Sequence, residues 1–145
     1  MRLKALVLTL AVVALGSGNA WADIQVHVMN CTQGSIKAQS FDAKDAVKEV
    51  AASSKTIDAG QSATLKCAGE GKGFCQMIIV VLSPPAGTCD NTDFSSGVGG
   101  SVQFHLDSGK WAVVTGYERQ KEANHNDIYI CKPVVSENQD SSTCP

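Results

Sequence analysis

Aromatic residues are scarce in this chain: two tryptophans, two tyrosines and four phenylalanines among 145 residues. Trp21 lies in an N-terminal segment that reads as removable, which leaves Trp111 as the one remaining tryptophan. A carbohydrate site built on several stacked tryptophans is thereby argued against. Basic charge is also limited. Without Arg2 and Lys4 of the same segment, ten Lys and Arg face fourteen Asp and Glu, a net charge near −4. Nucleic acid binding needs concentrated cations to neutralise phosphates, and adhesion to an anionic membrane needs a basic patch. Neither partner suits this balance.

Local catalytic signatures are missing as well. The chain carries no G-x-S-x-G elbow and no H-E-x-x-H pair. No C-x-x-C occurs, and the cysteines are not paired at zinc-ribbon spacing. The glycine-rich stretches 69–73 and 97–100 lie outside any phosphate-binding pattern and read as turns or loops. No cofactor is implied.

What is present begins with the N-terminus. Met1-Arg2-Leu3-Lys4 is followed by an apolar run over 5–16 and by Ala20-Trp21-Ala22. A charged start, a short hydrophobic middle and a small-x-small ending form a signal peptide, with cleavage expected after Ala22. The run is too short to span a bilayer, so stable membrane insertion is not expected. No cysteine sits at the cleavage site, so no lipid anchor is indicated. The expected product is an exported protein of 123 residues, periplasmic or extracellular.

Six cysteines follow the signal: Cys31, Cys67, Cys75, Cys89, Cys131 and Cys144. An even count in an oxidising compartment reads as three disulfides, with fifteen connectivities open. If Cys67 and Cys75 pair, they staple a loop between two strands.

Apolar alternation sets the fold class. Ile24, Val26 and Val28 recur at period two, as do Ile36 and Ala38, and Ala63, Leu65 and Cys67. Asn30 to Gly34 and Asp107 to Lys110 carry turn residues and predict two hairpins, over 23–41 and 101–117. The unbroken apolar run Met77 to Leu82 predicts a central strand covered on both faces. A short helix or a loop fits 41–52 equally. A last strand is expected over 128–131. Seven or eight short strands with little helix indicate an all-β, antiparallel β-sandwich braced by disulfides. The expected organisation is a signal at 1–22, one sandwich domain at 23–135 and a polar tail at 136–145 that Cys144 would tether.

Candidate functional residues are few. His27 and His105 alternate opposite the apolar residues of their strands and should face solvent. His125 lies in a polar segment. Asp90 and Asp93 offer oxygen donors of the kind calcium takes, but without EF-hand spacing, and an Asx turn explains them as well. Asn30-Cys31-Thr32 fits a glycosylation rule, but the short signal with its Ala-x-Ala ending looks bacterial, and in a bacterium the match would mean nothing. Residues 118–126 read as an exposed loop, with Glu118, Arg119, Gln120, Lys121, Glu122 and His125 as the side chains a partner would meet.

These features predict a non-catalytic binding module for a protein or cell-envelope ligand, with an inhibitor or immunity-type protein as a special case. An assembly subunit and a small secreted hydrolase are the alternatives. The sequence sets no oligomeric state.

Overall fold

Period-two alternation decides which side chains can share a core, and the computed structural model, which describes residues 23–44, 50–89, 100–121 and 129–145, follows it closely. Among the described residues there are eight strands: β1 (Asp23–Asn30), β2 (Ser35–Phe41), β3 (Ser53–Ile57), β4 (Ser62–Ala68), β5 (Phe74–Ser83), β6 (Ser101–Asp107), β7 (Trp111–Lys121) and β8 (Tyr129–Gln139). They form two four-stranded sheets, ordered β4-β1-β7-β8 and β3-β2-β5-β6. No helix occurs among the described residues. The fold is the all-β sandwich expected.

The core lies between the sheets. Ile24, Val26 and Val28 of β1, Leu65 of β4, and Ala112 and Val114 of β7 come from one side. Ile36, Ala38, Met77, Ile79, Phe104 and Leu106 come from the other. β1, β2, β4, β5, β6 and β7 each give alternate residues to this layer, as two packed sheets require.

Both predicted hairpins are instead corners between sheets. β1 pairs antiparallel with β4 and parallel with β7, whereas β2 pairs with β3 and β5. The turn after β1 is fixed by Asn30, which is fully buried. Its Nδ2 donates to the carbonyls of Gly34 and Ile57, at 2.8 and 3.0 Å. Its Oδ1 accepts from the Thr32 N–H and hydroxyl, at 3.1 and 2.6 Å. The turn after β6 docks on β1: Gly109 N–H donates to the Gln25 carbonyl, and His27 N–H donates to that of Lys110. Trp111 therefore starts a strand alongside β1 rather than back along β6. Turn residues of the same kind serve both outcomes, so alternation alone did not separate them.

β5 sits at the centre of its sheet but, among the described residues, is fully covered on one face only. Met77, Ile79 and Val81 are buried, Ile78 and Val80 are half-buried, and Leu82 is exposed. The described residues do not supply the expected cover on the second face. At 41–52, Ala43 and Lys44 form a turn after β2; residues 45–49 lie outside the described part. Residues 1–22, where the signal is read, also lie outside it.

All six cysteines are bonded: Cys31–Cys144, Cys67–Cys75 and Cys89–Cys131. Cys67–Cys75 joins β4 of one sheet to β5 of the other, so the staple clamps the sandwich across its core. Each of the other two fixes a cysteine outside the strands, Cys89 or Cys144, onto the framework. Three closed bridges point to an oxidising compartment.

The boundary expected at 135 falls inside β8, which runs on to Gln139. Backbone pairing with β7 carries the strand through its polar residues: Ser136 lies opposite Val113, and Gln139 opposite Trp111. Beyond it, Ser141, Thr143 and Cys144 line one side of a groove of about 220 Å³ whose other side includes Val113 and Thr115. Val113 points outward from its sheet yet is 2% exposed, because the tail lies over it.

The ion pair Lys110–Asp140 holds the start of this tail. The Lys110 ammonium, donating to the Asp140 carboxylate, lowers the Asp140 pKa, and the carboxylate raises that of Lys110. The contact is thus complete above the ordinary carboxylate range and is lost as pH falls through the lowered Asp140 value. At the alkaline end it is lost as pH rises through the raised Lys110 value. Both groups are solvent-accessible, so the expected effect is local. On acidification the amide resonances of Ser141 and Thr143 shift while the melting temperature stays nearly constant, because Cys144 remains bonded. Tail resonances that ignore the titration would contradict this assignment.

Candidate functional site

β7 outruns its neighbour. It pairs with β1 only over the register His27↔Trp111 to Asn30↔Val114, but with β8 as far as Lys121↔Tyr129. From 115 to 121 it therefore has β8 on one side and no strand on the other among the described residues. The last bond on that side is Cys31 N–H to the Val114 carbonyl, at 2.9 Å. Register shifts near Val113 and between Val114 and Gly116 bend the strand at this point, as bulges do.

Tyr117 anchors the root of this two-stranded ribbon. Its hydroxyl is 2.6 Å from Thr32 Oγ1, within the network that Asn30 organises. A side chain at Gly34 would collide with the Ser83 carbonyl and lie 2.7 Å from the Tyr117 hydroxyl, so glycine is needed for this close approach. On the far side of the ribbon, Cys131 is bonded to Cys89. Gly100, at a φ of 88°, comes so close to the Cys131 carbonyl that a Cβ there would overlap it. The edge of β8 is thus approached by neighbouring chain, while among the described residues the edge of β7 past Val114 is not.

The ribbon corrects the predicted binding loop. Glu118, Arg119, Gln120 and Lys121 are strand residues, opposite Lys132, Cys131, Ile130 and Tyr129. Their polarity on both faces misled a reading by alternation. Past the end of the core, nothing requires an apolar face, and backbone pairing with β8 sets the conformation. Glu122 and His125 lie outside the described residues, as do the candidate calcium donors Asp90 and Asp93.

Strand alternation puts Arg119 and Lys121 on one face of the ribbon and Glu118 and Gln120 on the other. The Arg119 guanidinium lies 3.7 Å from the centroid of the Tyr129 ring. Arg119 and Lys121 are exposed. Among the described residues, neither has a carboxylate at ion-pair distance. Tyr129 was not singled out from sequence; only the register of β7 against β8 brings it to Arg119.

The two described histidines lie on outer faces, as alternation predicts. His27 stacks on Trp111 with centroids 4.7 Å apart, and its Nδ1 is 2.9 Å from Thr64 Oγ1. His105 stacks on Phe74 at 4.3 Å, beside a shallow depression of about 130 Å³. A wider hollow of about 330 Å³ has Asp23, Asp42 and Lys66 on its wall, but the Asp42 carboxylate already accepts from the Ala68 N–H at 2.7 Å. No group of three or more His, Cys, Asp or Glu placed to hold a metal occurs among the described residues. No helix among them is long and apolar enough to cross a membrane. The buried Asn30 amide has both its hydrogens committed, which leaves it no role as a glycosylation acceptor in the folded protein.

No family model matches the chain, and no curated protein matches it.

Proposed function

We propose that this protein is an exported, non-catalytic binding module for a protein or cell-envelope ligand, with the β7–β8 ribbon as its contact element. The ribbon carries this reading: among the described residues, a strand with one unpaired edge, held at its root and by a disulfide, with two cations on one face that have no carboxylate at ion-pair distance. Rigid scaffolds that position an exposed element are a common way to build a binding surface. Export to the periplasm or the extracellular space belongs to the same proposal. It is supported by the three disulfides and by the charged-apolar-small pattern of 1–22. An inhibitor or immunity-type protein is one form such a module takes.

The test combines capture with charge reversal. The immobilised protein should retain a discrete partner from envelope extract of its source organism. Arg119→Glu with Lys121→Glu should abolish that retention and shift the melting temperature by no more than a few degrees, as expected for exposed side chains. Capture that survives both substitutions would move the contact surface off the ribbon. Absence of any captured partner would count against the module itself.

A further inference from the structure

We infer that the free edge of β7, residues 115–121, takes up an extended acidic peptide as an added strand, with peptide carboxylates meeting Arg119 and Lys121. The inference rests on the binding-module reading and specifies its ligand.

Three observations lead to it. First, the edge is long enough. Seven residues at roughly 3.3 Å each span about 23 Å, ample for a ladder of main-chain hydrogen bonds. None of the described backbone occupies it past Val114. Second, the spacing fits. Arg119 and Lys121 are two residues apart on one face, and an added strand presents its own alternate side chains at the same repeat. Acidic residues at every second peptide position would each meet a cation. Third, one of the two cations is positioned in advance. Arg119 rests on the Tyr129 ring, which restricts the guanidinium before any ligand arrives.

Charge also selects the occupant. A second copy of this chain, pairing edge to edge here with Arg119 opposite Lys121, would bring these residues against the same two cations. Like charges opposed across strands are destabilising. Exposed charges on an edge strand ordinarily discourage pairing of that kind. An acidic strand converts the same repulsion into attraction, so the edge is closed to self-association and open to a ligand of opposite sign.

The experiment uses the mature protein and a short synthetic peptide alternating threonine and glutamate, with binding followed by amide chemical shifts and calorimetry. Three comparison probes accompany it: the threonine–lysine peptide, a threonine–glutamate peptide N-methylated at alternate positions, and free glutamate. The expected result is saturable binding of the acidic peptide alone, with shifts concentrated at 115–121. Affinity should fall about tenfold or more in Arg119→Gln with Lys121→Gln, and steeply with added salt. Equal binding of the N-methylated peptide, or of free glutamate, would replace strand addition by simple anion binding and overturn the inference. Binding of the lysine peptide, or of no peptide, would overturn it too. If envelope extract still yields a partner in that last case, the module stands and only its acidic-strand ligand falls.

Discussion

Replacing Asn30 by alanine should lower the unfolding free energy by about 3–5 kcal/mol, large for a single polar residue. The side chain is fully buried and satisfies four groups: the Gly34 and Ile57 carbonyls, and the Thr32 N–H and hydroxyl. Each bond contributes about 1 kcal/mol net, and a buried partner left without one costs more. Alanine also leaves a void where the amide was. Asn30→Asp is the sharper variant. It keeps the shape but replaces the Nδ2 donor by an oxygen facing two carbonyl oxygens, so at neutral pH it should be at least as damaging as alanine. Urea denaturation with unchanged slope measures both. A loss below about 1 kcal/mol for either variant would show that the turn holds without the amide.

Removal of the Cys31–Cys144 bridge, as Cys31→Ala with Cys144→Ala, should cost about 4 kcal/mol and lower the melting temperature by about 15 °C. The bridge closes a loop over 113 positions of sequence. The two other bridges lie inside that loop and shorten it, which trims the chain-entropy effect only slightly because the dependence on length is logarithmic. The native state loses something too. Val113 is buried beneath the tail, and a released tail returns that apolar side chain to water. Calorimetric melting of the oxidised double variant gives the answer. A shift of only a few degrees would mean that the tail packs in place without its tether.

Much of the fold was legible because burial imposes a simple period on strands. Ile24, Val26 and Val28 are inside for the reason that marked them in the sequence, and the same is true of Ile36 and Ala38. Sheet membership was not legible. A hairpin and a corner use similar turn residues, and what distinguishes them here is the long-range hydrogen bond from Asn30 to Ile57 and those of the turn at 107–110 to β1. β3 was missed because Ser53–Ile57 buries only Ile57. Unbroken apolar runs carried the least certain information. Met77 to Leu82 suggested two-sided cover that the described residues do not give β5. The run Trp111 to Val114 does have such cover at Val113, supplied by the tail.

The candidate site was the least legible part. Of its residues, Glu118, Arg119 and Lys121 are exposed as expected and Gln120 is half-buried, but their strand conformation was not legible, because a ribbon extending past the core has no apolar face to announce it. The pairing of Arg119 with Tyr129 depends on register, which is a property of two strands and cannot be read from either one.

Cys31 and Cys144 have a topological consequence beyond stability. Their bond lies close to both ends of the described chain and turns almost the whole domain into a covalent ring. A single backbone cut at any peptide bond between them leaves the two resulting pieces joined through sulfur. A protease that nicks a surface loop therefore opens the ring without releasing a fragment. Such a nicked molecule keeps all its parts within reach of one another.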